Sequence, residues 1–326
     1  MREQTATGSG GDIKARLERC FADFFRVVQT RDHVWTVKGF IDVYRNIYTI
    51  SLDTKVVSKV VELMIFPVLV RFAHENGYEM HLSPHQNHYP DISFVHKQGG
   101  ARFALDLKSS YRVGLDRVNG MTLGAFTGYF RNRQSNKNVM YPYGSYQRHY
   151  VLGVLYTRSD AHNAALRLDE LGHTVAGNSY ALLVKFVSNP TDEGFDHLAR
   201  ALKLPRGTAP RIRRAVEAVL IDERRKYRLG ALKSIPSVIR DFDFFLQEKW
   251  RIAADRPGSG NTKNIGSATA IEALKAGAGP FTKHAGGERL FDDYWTYYLT
   301  RDMARAVDLK KPPYHNLKTY FQYKNG

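Results

Sequence analysis

Two segments near the start of the chain carry apolar residues at the spacing of an amphipathic helix. Residues 13–28 repeat apolar side chains every three or four positions, which predicts one helix. A second helix is predicted to begin at Asp53 or Thr54, since either side chain can cap a first turn. Pro67 should kink or end this helix, and Gly77 suits the position that follows a helix end. The side chains expected to face the core are Val56, Val57, Val60, Val61 and Met64.

The middle of the chain has the short apolar segments that are typical of β-strands. Residues 91–96 and 102–108 flank Lys97-Gln98-Gly99-Gly100, a turn sequence that predicts a β-hairpin. Residues 150–156, rich in Val and Leu, predict a buried strand, and residues 180–187 predict another. Helices interleaved with strands indicate an α/β protein with a mixed central β-sheet flanked by helices.

Two further helices and a polar loop are predicted in the second half of the chain. The helices cover residues 191–204 and 208–228, with Thr191 and Thr208 as their first-turn caps. Residues 257–267 are rich in Gly, Ser, Asn and Thr, which is typical of a loop.

Composition narrows the function classes. Among 326 residues, 48 Lys and Arg exceed 32 Asp and Glu, so the net charge is +16 and a polyanion such as nucleic acid is the expected partner. Hydrophobic residues make up 43%, enough for a folded core rather than a disordered chain. The single cysteine, Cys20, excludes an internal disulfide framework and a cysteine-rich zinc site. Residues 63–70 are too short to span a membrane, and the first residues lack the apolar core of a secretory signal, so a cytoplasmic protein is expected.

The predicted hairpin would bring two carboxylates together. If it closes at Gln98-Gly99, Asp91 lies directly opposite Asp106 on one face of the sheet. Lys108 projects from that face too, because side-chain direction alternates along a strand. Two carboxylates beside one ammonium predict a site for a hard divalent cation such as Mg²⁺, with the lysine left to act on the substrate. The alternative is that these charges form only the solvated face of an amphipathic hairpin.

The same residues fit a known signature. Pro90-Asp91 followed by Asp106-Leu107-Lys108 matches the PD…(D/E)xK pattern of a large nuclease superfamily. Longer segments resemble the EcoRV family of type II restriction endonucleases and follow the family's order along the chain. They are Asn87-His88-Tyr89-Pro90-Asp91, Thr122-Leu123-Gly124, Arg131-Asn132, Lys137-Asn138-Val139, Tyr141-Pro142, Tyr156-Thr157-Arg158, and residues 245–250, 258–262 and 264–267.

The resemblance implies a restriction-endonuclease-like fold and a homodimeric, Mg²⁺-dependent endonuclease that cuts both strands of duplex DNA. Asp91 and Asp106 match the family's metal-binding acidic pair, and Lys108 matches its catalytic lysine. Glu62, in the helix before the hairpin, matches an acidic residue near the active site that is expected to help bind metal. The alternative for Glu62 is an exposed helix glutamate. Whether Lys108 acts as a base or as an electrostatic stabiliser is left open.

The resemblance also implies which residues contact DNA. Residues 258–264 match the family's recognition loop, where glycines allow close approach to the bases and Asn suits adenine in the major groove. Gln86 and Asn87 match a second loop that reaches the minor groove and the phosphates. The implied target is a palindromic, A·T-centred site, most simply GATATC cut blunt at its middle. The predicted recognition residues are Gly258, Ser259, Gly260, Asn261, Thr262, Lys263 and Asn264, and the predicted phosphate contacts are Thr54, Ser109, Ser110 and Lys137.

Three residues depart from the family's pattern near these loops. They are His85, Pro257 and Lys263. Because they adjoin the base-reading segments, they bear on the preferred sequence more than on the chemistry of cleavage.

The layout predicted for the chain is a flexible tail over residues 1–12 and a single endonuclease domain over 13–326. Dimerisation elements are expected near 13–50, and a largely helical insertion at about 159–226. A restriction enzyme also requires a cognate DNA methyltransferase as a separate protein. Two alternative hypotheses are a repair or junction-cleaving nuclease of the same superfamily and a non-catalytic DNA-binding protein.

Overall fold

The computed structural model divides the chain into two compact units. The larger unit comprises Met1–Val28, Val60–Tyr156 and Asp241–Gly326, and the smaller one Gln29–Lys59 and Thr157–Arg240. The structure describes residues 9–50, 53–83, 85, 88–159, 227–228, 235, 237–258 and 261–326. In these ranges, each helix falls short of the length and apolar character that a bilayer span demands.

Eleven strands and eight α-helices are found in the described ranges. The strands are β1 (Gly39–Ile41), β2 (Asn46–Thr49), β3 (Tyr78–Leu82), β4 (Ile92–His96), β5 (Arg102–Tyr111), β6 (Thr122–Ala125), β7 (Tyr146–Arg158), β8 (Tyr227–Arg228), β9 (Ile239–Glu248), β10 (Ala253–Gly258) and β11 (Asn261–Ser267). The helices are α1 (Ser9–Glu18), α2 (Phe21–Val28), α3 (Thr54–Glu75), α4 (Lys249–Ile252), α5 (Ile271–Ala276), α6 (Gly287–Tyr297), α7 (Arg301–Arg305) and α8 (Leu317–Asn325).

The larger unit is built on a five-stranded sheet with the order β3-β4-β5-β7-β9. β5 pairs antiparallel with β4 and parallel with β7, so the sheet is mixed and the predicted fold class is confirmed. A second, three-stranded sheet has the order β10-β11-β6. Rings of Phe126, Phe281, Tyr294 and Trp295 lie in the same buried cluster as Ile265 of β11.

The hairpin that carries the predicted carboxylates has the predicted register. Ile92 of β4 lies opposite Leu105 of β5, which extends to Asp91 opposite Asp106. The predicted strand at 150–156 is confirmed as part of β7, where Gly153 is the register partner of Lys108. A Cβ on Gly153 would lie only 1.9 Å from the Phe245 ring, so glycine is what lets this aromatic ring pack there.

Helix α3 confirms the predicted N-terminus and corrects the predicted role of proline. Asp53 Oδ1 accepts hydrogen bonds from the backbone amides of Lys55 (2.7 Å) and Val56 (3.3 Å), so Asp53 caps the helix. Pro67 does not end the helix, which continues to Glu75, because the residues after it still have a core to face. Gly77 has φ +73°, as a residue following a helix end should. The fully buried positions are Val57, Val61, Ile65, Val68, Leu69, Phe72 and Ala73, while Val56, Val60 and Met64 are half-buried.

The helix predicted over residues 13–28 is two helices. α1 ends at Glu18 and α2 begins at Phe21, with Cys20 O accepting from the amides of Asp23 and Phe24 in the turn between them. Apolar spacing does not reveal a break of a single turn, since Leu17 and Phe24 are buried on either side of it. α1 begins at Ser9, so the last residues of the predicted tail are helical.

The smaller unit contains a three-stranded antiparallel sheet with the order β1-β2-β8. Its β8, Tyr227–Arg228, corrects the end of the helix predicted over 208–228, because strand pairing with β2 overrides local helical propensity. The predicted strand at 180–187, the helix at 191–204 and the rest of the helix at 208–228 lie outside the described residues.

Candidate active site

Three charged side chains meet at one end of the β4–β5 hairpin. Asp106 and Lys108 lie on β5, and Asp91 immediately precedes β4. The Lys108 ammonium lies 2.6 Å from Asp106 Oδ2 and 3.8 Å from Asp91 Oδ2. The structure therefore brings together the residues that the predicted register placed on one face, and the alternative of a merely solvated face does not describe them, because Asp106 is buried.

The sheet holds the acidic pair in place. Asp91 Oδ2 accepts a hydrogen bond of 2.7 Å from the backbone amide of Leu107, which ties the carboxylate of one strand to the backbone of the next. Lys108 Nζ also donates to Leu107 O at 3.2 Å. These bonds fix two of the three functional groups without help from flexible loops.

The electrostatics of the site reflect two carboxylates in a small volume. Burial, together with the charge of Asp106, raises the pKa of Asp91 to about 7, although Lys108 acts in the opposite direction. Burial alone would lower the pKa of Lys108, but Asp106 and Asp91 outweigh it and raise that pKa above its ordinary value. The acidic pair is thus short of positive charge, which is the condition that a bound cation relieves.

The donor chemistry fits a magnesium ion held by few protein ligands. Among the described residues, no cluster of three or more His, Cys, Asp or Glu side chains forms a complete metal cage. Asp91 and Asp106 supply a pair of hard oxygen donors, and Mg²⁺ is commonly held by one or two carboxylates, water and substrate phosphate. Glu62 lies in α3, half-buried, where its charge contributes to the raised pKa of Lys108.

The segment predicted to be a recognition loop is largely β-structure. Gly258 ends β10, and Asn261, Thr262, Lys263 and Asn264 begin β11, while Ser259 and Gly260 lie outside the described residues. This corrects the loop predicted over 257–267. Backbone pairing explains the difference, since polar side chains do not prevent a ladder: Gly258 pairs with Asn261, and Asn264 pairs with Ala125 of β6.

Gly258 permits a close approach between strands. A Cβ at this position would lie 2.6 Å from Thr122 Cγ2 in β6, so a larger residue would push the β10 end away from its neighbour. The positions of β10 and β11 therefore depend on the glycine that sequence reasoning had assigned to backbone approach toward bases.

The other predicted DNA contacts fall in different environments. Thr54, the first residue of α3, and Lys137 are exposed, and Ser109 is half-buried. Ser110 is buried and its hydroxyl donates to Asn119 O, so in this conformation it faces the protein rather than solvent. Gln86 and Asn87 lie outside the described residues.

Sequence reasoning missed one charged residue near the site. Lys249, at the start of α4, is almost completely buried, with its ammonium over the rings of Tyr89, Phe130 and Tyr143. Nothing in the local pattern signals this, because a lysine that follows a strand is ordinarily a surface residue.

Comparison with known proteins bears directly on this arrangement. The model of the family described as restriction endonuclease EcoRV matches residues 31–188 and 216–325. The chain belongs to the EcoRV family of restriction endonucleases. One relative, the type II restriction enzyme EcoRV of Escherichia coli, is 27% identical over 301 residues, which cover 92% of this chain and 95% of the relative.

The EcoRV family assignment confirms the predicted enzyme class. The protein is a restriction endonuclease, that is, a site-specific deoxyribonuclease, and duplex DNA is its partner. The internal stretch that the family model leaves unmatched is residues 189–215, which is narrower than the insertion predicted at about 159–226.

Proposed function

We propose that this EcoRV-family protein is a Mg²⁺-dependent homodimer that cuts both strands of duplex DNA at a short palindrome, GATATC, with a blunt cut at its centre. The observation that carries the proposal is the grouping of Asp91, Asp106 and Lys108, with an ammonium within 4 Å of both carboxylates. Such a grouping serves phosphodiester hydrolysis, where negative charge develops on the phosphate and must be balanced. The net charge of +16 favours binding to the phosphate backbone.

Each of the three residues then has a distinct role. Asp91 and Asp106 would hold Mg²⁺ against the scissile phosphate, and Glu62 would support it from α3. When bound, the ion supplies charge neutralisation and acidifies a water molecule. Lys108 either orients the attacking water or stabilises the transition state by hydrogen bonding, and the bond from Leu107 N keeps Asp91 oriented meanwhile.

Specificity is assigned to the β10–β11 hairpin and the segment around Gln86 and Asn87. In the hairpin, Asn261 and Asn264 offer amides of the kind that pair with adenine in the major groove. The GATATC site follows from the resemblance to the family, and its central TA step is easily kinked, so bending can add discrimination without contact. Thr54, Ser109, Ser110 and Lys137 remain the proposed phosphate contacts, which position the duplex rather than read it.

Dimerisation is supported by the smaller unit. The β1–β2 hairpin exposes large apolar side chains, which a monomer in water would rarely present together. They are Phe40, Ile41, Val43, Tyr44 and Tyr48. We therefore assign the predicted dimerisation elements near residues 13–50 to this hairpin, in a cytoplasmic enzyme accompanied by a separate DNA methyltransferase.

The test is a cleavage assay on a plasmid of known sequence that contains one GATATC site. Wild-type protein with Mg²⁺ should produce one linear product whose ends map to the centre of that site. Asp106→Asn, which keeps the side-chain shape but removes the charge, should bind the plasmid without cutting it. Omitting Mg²⁺ or adding a chelator should have the same effect.

The other outcomes identify the alternatives. Discrete ends at a different sequence would retain the restriction activity and reject GATATC, with Lys263 and Pro257 as the first residues to examine. Cutting at branched or damaged DNA alone would indicate a repair or junction-cleaving nuclease. Retarded but uncut plasmid with every divalent metal would indicate a non-catalytic DNA-binding protein, and undiminished cleavage by Asp106→Asn would remove Asp106 from the metal site.

A further inference from the structure

Lys249 is a buried cation with no hydrogen-bonding partner. Its side chain is 2% exposed, and within the described part of the chain its ammonium accepts no polar neighbour at hydrogen-bonding distance. Leaving an ammonium in this state is unfavourable by several kcal/mol. An arrangement that retains such a charge needs a compensating interaction.

Three aromatic rings supply that interaction. The Lys249 ammonium lies 4.9 Å from the ring centroid of Tyr89, 5.4 Å from that of Tyr143 and 5.5 Å from that of Phe130. Ring faces attract a cation through their quadrupole but carry no net charge, so they stabilise the ammonium without neutralising it. Gly124 completes the enclosure, because a Cβ there would lie 3.5 Å from Lys249 Nζ.

The retained charge acts on the active site. Burial lowers the pKa of Lys249 to about 8, while Asp106 raises it and Lys108 lowers it, so both active-site groups sense this ammonium. Asp292 and Arg133 act on it with opposite signs to each other. Neither active-site group is in direct ion-pair contact with Lys249, which distinguishes it from Lys108.

A methionine would fill the same aromatic enclosure without the desolvation penalty. The positive charge is therefore the property that packing alone does not explain. A fixed cation beside an acidic pair attracts the carboxylates and the scissile phosphate, and it repels a divalent metal ion. These effects have opposite signs for metal binding with and without DNA.

We propose that Lys249 is a positioning residue that makes metal binding at Asp91 and Asp106 depend on DNA. Without DNA, its ammonium already balances part of the carboxylate charge, so a divalent ion binds weakly. With DNA, the phosphate adds negative charge and the ion binds firmly. The inference rests on the proposed nuclease function and adds to it a residue outside the Asp91, Asp106 and Lys108 group.

The test measures metal affinity apart from cleavage. Calorimetric titration of Mn²⁺ into DNA-free protein should show roughly tenfold tighter binding to Lys249→Met than to wild type, since a nearby charge changes such equilibria by about one to three powers of ten. Cleavage at saturating metal should be slower in the same variant, because stabilisation of the phosphate is lost. A merely structural role would weaken metal binding and cleavage together.

Lys324→Met is the matched control. Lys324 also lies over aromatic rings, at 5.7 Å from Tyr320 and 6.0 Å from Tyr297, but its ammonium pairs with Asp293 on the surface of the molecule. Its substitution should leave metal affinity and cleavage unchanged. Equal Mn²⁺ affinity of folded Lys249→Met and wild type would overturn the inference, whereas a wild type that neither binds Mn²⁺ nor cuts DNA would overturn the nuclease proposal itself.

A second measurement needs no variant to fold. Coupling between two sites is reciprocal, so a metal ion that is repelled by Lys249 must in turn make that ammonium easier to deprotonate. In lysine-labelled wild-type protein, NMR should show the lowest-titrating ammonium, with its pKa of about 8, shifted further down on saturation with Mg²⁺. An unchanged titration curve with saturating metal would overturn the inference.

Discussion

Replacing Lys108 with methionine should turn the acidic pair into a metal-dependent weak point of the fold. Lys108→Met keeps the length of the side chain but removes the charge that lies between Asp106 and Asp91. At an effective dielectric constant of about 20, ion pairs of 2.6 Å and 3.8 Å have Coulomb energies of about 6 and about 4 kcal/mol. Desolvation offsets much of the first, and the second is screened because the Asp91 side chain is 40% exposed. A net loss of about 2–3 kcal/mol in the free energy of unfolding at pH 8.5 follows.

The pH dependence has a definite sign. The pKa of Asp91 in the folded protein is about 7, above its unfolded value, so the stability contributed by its protonation is complete below the unfolded pKa and lost as pH rises through about 7. Without Lys108, which lowers that pKa, the folded pKa rises further and the loss extends to higher pH. Lys108→Met should therefore be less destabilising at pH 6, where Asp91 takes up a proton, than at pH 8.5.

Urea unfolding at the two pH values, with and without Mg²⁺, measures these effects. Mg²⁺ should restore stability to Lys108→Met at pH 8.5 by at least 1 kcal/mol more than it adds to wild type, because the ion replaces the missing positive charge. Lys324→Met, which removes a more exposed lysine from its pair with Asp293, should change stability by less than about 1 kcal/mol under every condition. The reasoning fails if Lys108→Met is as stable as wild type at pH 8.5 without metal, or if Mg²⁺ stabilises both proteins equally.

Three other substitutions test the recognition hairpin and the fold. Asn261→Ala should abolish specific cleavage while salt-sensitive nonspecific binding survives, and an unchanged fragment pattern and rate would contradict the role of β11 in recognition. Gly153→Ala should lower the free energy of unfolding by about 2–3 kcal/mol or more, because the added methyl group meets the Phe245 ring, and wild-type urea stability would refute that packing argument. Asn316→Ala removes the cap of α8, where the amide oxygen accepts from Thr319 N at 2.9 Å, and should reduce stability by about 1 kcal/mol in thermal unfolding; a change below about 0.3 kcal/mol would mean that the cap contributes little.

Local pattern was sufficient for the hairpin that carries the active site. Alternation along residues 102–108 and the turn at 97–100 predicted both strands and the pairing that brings Asp91 toward Asp106, and the structure has that register. A strand has only two faces, so a turn of known position determines which side chains share one of them. The family resemblance then predicted the enzyme class, which the comparison confirms.

Pattern was insufficient where backbone pairing or packing at a distance decides. Residues 257–267 have the composition of a loop, yet Asn264 and Gly266 pair with β6, a strand distant in sequence. Pro67 lies inside α3 because the buried face of that helix continues beyond it. In both places local propensity predicts one conformation and contacts with remote residues stabilise another.

The sequence by itself thus determined the acidic pair, its lysine and the mixed α/β character, since each depends on residues close together in the chain. Only the tertiary structure decided the environment of that pair. The raised pKa of Asp91 needs burial by other elements, and the aromatic enclosure of Lys249 needs Tyr89, Phe130 and Tyr143 to converge from separate segments. Charge is written in the sequence, but the dielectric surroundings that set its strength arise only when distant segments pack together.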